Sequence, residues 1–526
     1  VSVILAELDS RDAAGTITTI RLATEDYNHP TAPGFYLGRL RGDLSWTRSC
    51  WSNGSTSGAV TIGFGAIAAA NPDGALDSLL TGGYAGGACR LLWLEDAARP
   101  YTEAVTLARF TLEQPEFSFN EVSFRVRDRL ADLDSRKLQT ARYLGTTTTV
   151  GIEGPVDLKG KVKPDLYGLT RDVEPYQVNP GKLIYQARNG AAEVFAVYDR
   201  GEALTRATPD YADLTAMEAA APGLGQFRAC PSLGCFRLGG SPSGLITADV
   251  RTGASAADRT VGQILNAIAT GPGGLTGAEV SAADIAALDS ANSAVVGFYA
   301  REEISVRAAL EPIVNSIGAW FGFDRLGVLR AGRLINPTGS PVVSFRRLRA
   351  GYGEEAAPAN AADILSIERR PLDDPGRGVP PATCTLTHTR CWTPQTSDLA
   401  GAVLTDPAQT RRNFLATETR KATATDSAVL LQFPGAGTRD FDSLIDDATD
   451  AQTEVDRRLA LFKIRRDRYV VSTALTPALI EALELGAIVE IRLPRFGLDA
   501  GKLFQVIGLT VSAGGEKPVI EVDVWG

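Results

Sequence analysis

Within residues 519–525, Ile520, Val522 and Val524 alternate with Glu521, Asp523 and Trp525. Residues 122–127 repeat the pattern, setting Val122, Phe124 and Val126 against Ser123, Arg125 and Arg127. Period two sends successive side chains to opposite faces of a strand, so each segment needs one buried and one wet face. Further strands are predicted at 18–22, 90–94, 105–107, 182–186, 192–198, 469–475, 488–493 and 504–511. With 53 Gly and 28 Pro in 526 residues, turns are frequent. That balance favours a β-rich α+β protein over a helical bundle. A chain this long exceeds one hydrophobic core, so several domains are expected.

Residues 1–145 read as a β-barrel or sandwich with a helical turn at 74–80. Residues 146–245 are punctuated by Gly154, Pro155, Gly160, Pro164, Gly168, Pro175, Pro180 and Gly181, and read as an inserted β-rich subdomain. Residues 246–350 hold the helices. One is predicted at 260–268, stopped by Gly271-Pro272-Gly273-Gly274, and a second at 282–288. A third carries Leu310, Ile313, Val314, Ile317, Trp320 and Phe321 on one face, with Pro312 near its start. A hairpin follows, turning at 324–327. Residues 351–526 combine strands with one strong helix, whose apolar stripe is Ala448, Gln452, Val455, Leu459 and Phe462 and whose polar face includes Glu454 and Arg458.

A net charge of −9 and a pI near 5.1 argue against a protein that coats nucleic acid, which needs a basic face, although an acidic total does not forbid a local basic patch. No run of about 18 apolar residues offers a membrane span. Residues 1–7 lack the basic start of a secretion signal, which points to synthesis and folding in a cytoplasm.

Only His29 and His388 supply imidazole, which narrows acid–base and metal chemistry. His29 sits in a turn composition, His388 in a strand. Gly54-Ser55-Thr56-Ser57-Gly58 imitates a nucleophile elbow with Thr56 at the nucleophile position, but residues 51–53 look like a loop, and a turn is the better reading. Residues 271–277 imitate a dinucleotide loop, yet follow a helix instead of a strand, and read as a helix stop. Asp442, Asp446, Asp447 and Asp450 crowd a helix start, where negative charge suits the helix dipole. Six cysteines fall as Cys50 and Cys89, Cys230 and Cys235, Cys384 and Cys391. Buried thiols, touching or bridged across hairpins, are the leading reading; zinc or an iron–sulfur cluster held by Cys230, Cys235, Cys384 and Cys391 is the alternative. No catalytic, cofactor or metal residue is assigned.

Four stretches in order resemble the baseplate hub, or central tail-tip, proteins of long-tailed bacteriophages, and the related hub domains of host-specificity proteins and gene transfer agents. The first is Asp157-Leu158-Lys159-Gly160-Lys161-Val162-Lys163-Pro164 with Tyr167-Gly168, then Lys182-Leu183-Ile184-Tyr185 and Val197-Tyr198-Asp199-Arg200-Gly201. The second is Phe236-Arg237-Leu238 with residues 242–250. The third is the helix–hairpin unit of 304–334 around Trp320-Phe321-Gly322-Phe323-Asp324. The fourth is Arg390-Cys391-Trp392-Thr393-Pro394-Gln395, with the 448–462 helix and the strands ending at Val524-Trp525-Gly526.

The resemblance implies two tail-tube-like β-barrels, in 1–145 and 351–526, and a non-enzymatic structural virion protein. It implies a homotrimeric ring in the tail tip, assembled in the bacterial host cytoplasm. Expected partners are distal tail and tail-tube proteins, the tape-measure protein and tail fibre or tip proteins, with DNA passing through the lumen without specific binding. Two other readings are a tail-borne cell-wall or polysaccharide hydrolase, and a receptor- or carbohydrate-binding module using Trp46 and Trp51 as exposed platforms.

Overall fold

The computed structural model describes residues 2–42, 44–52, 54–64, 66–347, 358–513 and 518–526, with backbone only at 57 and 62–64. It is a β-rich α+β protein of several sheets. The chain forms two compact units, each discontinuous. The first comprises residues 1–132, 318–378 and 465–526, the second 133–317 and 379–464.

The first unit contains two barrels. One is a sheet in the order Ile17–Ala23, Val3–Arg11, Ala88–Leu94, Val105–Leu112, Glu121–Arg127, Ala66–Ala70, Leu40–Arg41. Its two ends nearly meet, because Leu37, just before Leu40–Arg41, bridges to Leu22. Val3–Arg11 is central and buried on both faces through Leu8, so it shows no alternation. Val3 and Leu5 pack with Ala23, Tyr27, Tyr36, Leu92 and Leu94 on one side. Ile4, Ala6 and Leu8 project to the other face of the pleat. Residues 3–8, which carry no alternation in the sequence, are thus part of a core strand.

The second barrel closes fully. Val343–Arg346 pairs with Ile488–Arg492, which pairs with Lys502–Ser512, then Val519–Trp525, then Arg468–Ala474, then Ser366–Arg370. Ser366–Arg370 continues from Ala361–Asp363, which pairs back onto Val343–Arg346. The alternation of 519–525 holds here: Ile520, Val522 and Val524 are buried, each worth about 1.5–3 kcal/mol of transfer free energy.

The hairpin Ser45–Ser52/Ser55–Phe64 adds to this barrel along the far half of Lys502–Ser512 and continues into Ala319–Phe323 and Leu329–Arg333. Strands from residues 45–64 and 319–333 therefore share a sheet with the C-terminal strands. The four consecutive segments expected from composition give way to pairing between distant parts of the chain. The boundary expected at 350/351 lies outside the described residues.

The second unit has two five-stranded sheets. In the first, Glu193–Asp199, Ile246–Arg251, Asp165–Val173 and Gly297–Ala300 are neighbours, so the expected boundary at 245/246 cuts through a sheet. The second contains the hairpin Gln226–Cys230/Cys235–Leu238. A three-stranded sheet of Arg420–Thr425, Thr383–His388 and Thr438–Phe441 packs against helix Ala448–Phe462.

The helices at Val261–Thr270 and Ala282–Ala291 match expectation, with Thr260 and Ser281 as caps. The third needs correction. It spans Val306–Asn315, capped by Ser305, so Pro312 is interior, and Trp320 and Phe321 belong to strand Ala319–Phe323. Leu310, Ile313, Val314, Trp320 and Phe321 are all buried, and helical spacing could not distinguish a helix from a helix followed by a core strand.

Candidate functional site

The residues carrying chemistry do not converge. His29 is in a loop, its Nδ1 2.9 Å from Thr31 Oγ1. His388 ends strand Thr383–His388, buried, with Nδ1 2.8 Å from Thr389 Oγ1. Burial and the neighbouring Arg420 hold its pKa below the usual imidazole value. Trp51 and Ser52 lie in strand Ser45–Ser52 and Thr56 in Ser55–Phe64, which corrects the loop reading there; Thr56 is buried and aims its hydroxyl at the Gly318 carbonyl. The platform reading of Trp46 and Trp51 is also corrected, since they are only 6% and 8% exposed. Trp46 packs edge-on against Phe110, and Trp51 lies 6.3 Å from Trp525.

All six cysteines are buried and free. Cys230 and Cys235 face one another across a hairpin, Cys391 packs with Leu399, Val403 and Leu415, and Cys384 lies in strand Thr383–His388. Among the described residues no three His, Cys, Asp or Glu side chains gather as a metal would need. Of the acidic cluster, Asp447 caps helix Ala448–Phe462 through the N–H groups of Thr449 and Asp450. Asp446 accepts two hydrogen bonds from Arg171, at 2.6 and 2.7 Å.

What the second unit does assemble is a buried polar network. Asp172, at φ +52° beside a bulge, is fully buried. Arg411 donates to both its carboxylate oxygens and Thr247 donates at 2.8 Å. Asp249 accepts the Asp172 N–H at 2.9 Å and the Tyr198 hydroxyl at 2.9 Å. Burial, then the Asp172 carboxylate, pushes the Asp249 pKa up to about 6. The Arg411 guanidinium lies 3.6 Å from the Tyr198 ring centroid.

A second network corrects the helix stripe. Ala448 is exposed and Gln452 half-buried, while Glu454 and Arg458 are buried alongside Val455, Leu459 and Phe462. Glu454 accepts from Arg457 and Arg458 at 2.7 and 2.8 Å, and Arg458 reaches the Asn315 and Ser316 carbonyls. The spacing of Glu454 and Arg458 is that of neighbours on a helix, so the charges enter the core paired. In the first unit, Glu7 accepts from the Tyr36 and Tyr101 hydroxyls, both at 2.6 Å, and from Arg90 at 2.8 Å. Burial raises its pKa, but these donors together hold it below the ordinary carboxylate value.

These networks fasten elements of the chain together. Two open cavities lie among the described residues, the first lined in part by Glu7 and Arg90 of the network above. One, of about 530 Å³, lies across Val3–Arg11, Ala88–Leu94 and Val105–Leu112 beside Leu326 and Gly327. The other, of about 510 Å³, is lined by Glu311, Asn315, Thr387, Arg390, Glu418 and Asp442 among others. The most exposed large apolar side chains are Phe119 (89%), Leu431 (88%) and Leu224 (86%). Phe119 lies in the turn joining Glu116–Phe117 to Glu121–Arg127, Leu224 before Gln226–Cys230, and Leu431 in the short helix Ala428–Gln432. Each stands singly on the surface, as exposed apolar side chains commonly do.

No family model matches the chain, and no curated protein does. Among solved structures it is similar to the tail protein from Neisseria meningitidis MC58, at 8% identity and TM-score 0.43, covering 100% of this chain and 96% of that one. It is also similar to the 43 kDa tail protein of prophage MuSo2 from Shewanella oneidensis, at 11% identity and TM-score 0.38 over 100% and 98% of the two chains. A chain of the virion of a native gene transfer agent particle matches at 15% identity and TM-score 0.39, over 75% and 91%. These neighbours are tail and virion proteins; at such scores the likeness carries no argument about what this chain does.

Proposed function

We propose that this chain is a non-enzymatic structural protein of a phage-type tail, acting as the baseplate hub. In this reading three copies close into a ring that joins a sixfold tail tube to the tip and surrounds the channel used by DNA and the tape-measure protein. Its neighbours are tail-tube, distal tail and fibre or tip proteins, and its place is the virion. The observation that carries the reading is the pair of barrels in one unit, one closed and one nearly so, built from three separated chain segments. Three subunits with two barrels each present six barrels, which matches a sixfold tube without six copies. Closed rings form through heterologous contacts, and such contacts need complementary surfaces but no cofactor. The exposed Phe119, Leu224 and Leu431 suit that work.

Particle imaging of the purified full chain, alone and with tail-tube protein, tests it. A threefold ring with six barrels around a lumen is expected. A persistent monomer that clears cell wall in a zymogram overturns the proposal in favour of a tail-borne hydrolase.

A further inference from the structure

Cys230 and Cys235 are direct register partners in the antiparallel hairpin Gln226–Cys230/Cys235–Leu238. Direct partners put both side chains on one face, with Cα atoms about 4.5–5.5 Å apart, inside the span of about 4.4–6.8 Å that a disulfide bridges. The intervening turn is tightly set. Pro231–Leu233 forms one turn of 3₁₀ helix, and Gly234 is left-handed at φ +60°. A Cβ at Gly234 would lie 2.6 Å from the Arg188 and Gly190 carbonyls, so the turn is pressed against that segment and holds both strand ends.

Both sulfurs are turned toward this connection. Cys230 Sγ is 3.5 Å from Ser232 Oγ, and Cys235 Sγ donates to the Leu233 carbonyl at 3.4 Å. Around them are Tyr143, Leu158, Val178, Ile184, Tyr211 and Met217. Of the six cysteines, no other two are register partners among the described residues.

We propose that Cys230 and Cys235 are an oxidative modification site, forming an intrachain disulfide when the chain folds or locally opens in the presence of a small-molecule disulfide. The thiolate of one cysteine attacks a sulfur of oxidised glutathione, forming a mixed disulfide and releasing one glutathione thiolate. The second cysteine thiolate attacks the protein sulfur of that mixed disulfide and expels the other glutathione. The cysteine pair loses two protons and two electrons, and oxidised glutathione gains them as two reduced molecules. Burial raises the Cys235 thiol above its ordinary value and shuts both sulfurs away from a small-molecule disulfide, so the closed hairpin exchanges slowly. Chain made under reducing conditions therefore keeps both thiols until it is opened.

The test uses the full-length chain. Reduced protein is unfolded in urea, refolded with a mixture of oxidised and reduced glutathione, unfolded again under acid quench, alkylated and weighed intact. The expected result is four alkylated cysteines instead of six, with a peptide joining Cys230 to Cys235. The folded reduced protein, given the same mixture for the same time without urea, keeps six. Cys230→Ala and, as a second variant for folding, Cys235→Ser should each show five alkylated cysteines, or four plus one glutathione adduct, and no joined peptide. Six alkylated cysteines after oxidative refolding, or a bridge to any of the other four, overturns the proposal.

Discussion

The two units use opposite means to hold distant chain segments together. In the first, residues 1–132, 318–378 and 465–526 are joined by strand pairing: Lys502–Ser512 alone is bonded to Ile488–Arg492, Val519–Trp525 and Ser45–Ser52. In the second, among the described residues, 379–464 meet 133–317 through only single β-bridges, Arg171 to Cys391 and Val296 to Ile445, and through charged contacts, namely Arg411 on Asp172, Arg171 on Asp446, and Arg458 on the Asn315 and Ser316 carbonyls. In a barrel the buried face of each strand sets its register, whereas a buried charged network sets its arrangement by matching charge and hydrogen-bond geometry. The first unit should thus respond most to lost volume, and the second most to lost charge.

The largest effect is expected at Arg411. Arg411→Ala leaves the fully buried Asp172 without its bidentate partner, which costs about 3–5 kcal/mol. Hydrogen exchange should show the loss at 170–173, 246–251 and 399–416, with the first unit's barrels protected as before. Equal loss in both units would remove the contrast.

Next comes pH. The folded pKa of Asp249, near 6, lies above the ordinary aspartate value near 3.8, so the folded state binds the proton more tightly. The stabilisation is complete below about pH 4 and is lost as pH rises through 6, amounting to roughly 3 kcal/mol. Asp249→Asn, whose amide oxygen can keep the Asp172 N–H while its NH2 group donates to the Tyr198 hydroxyl oxygen, should abolish this dependence between pH 4 and 7. Denaturant unfolding followed by exchange at 246–251 reads it, and an unchanged pH slope in the variant would show that Asp249 is not the group.

Val522→Ala is the counterpart in the closed barrel. Removing two methyl groups from a fully buried strand position should cost about 1–2 kcal/mol, at every pH between 4 and 8. A cost that changed with pH would mean that the lost packing reaches a titrating neighbour such as Asp523, whose pKa burial raises beside Arg468.

The same contrast explains what could be seen in the sequence. Strands with one wet face, such as Glu121–Arg127 and Val519–Trp525, carry their period openly. Val3–Arg11 is buried on both faces and carries none, and Ser45–Ser52 has too few aliphatic residues to stand out. Helix Ala448–Phe462 was legible in extent but not in orientation, because Glu454 and Arg458 look like solvent-facing residues until Asn315 and Ser316 are brought beside them. Asp172 and Asp249 gave no signal at all. They lie 77 positions apart, and their partner Arg411 is farther still. The cysteine hairpin was visible because its partners are local in sequence, whereas the domain division failed because strand partners such as Arg48 and Leu509 span nearly the whole chain.

The smallest effect on stability should accompany the clearest effect on assembly. Leu431 is almost wholly exposed in helix Ala428–Gln432 and buries nothing within its own unit. Leu431→Ser should therefore shift unfolding by no more than about 0.5 kcal/mol, as surface substitutions away from caps and cores do. If the chain's work is adhesion, that same change should weaken self-association or tail-tube binding, because an exposed leucine gains its transfer free energy only when a partner covers it. Light scattering across a concentration series separates the two. A variant that unfolds earlier and assembles normally would mean that Leu431 belongs to its own unit after all, and the search for contact surfaces would move to Phe119 and Leu224.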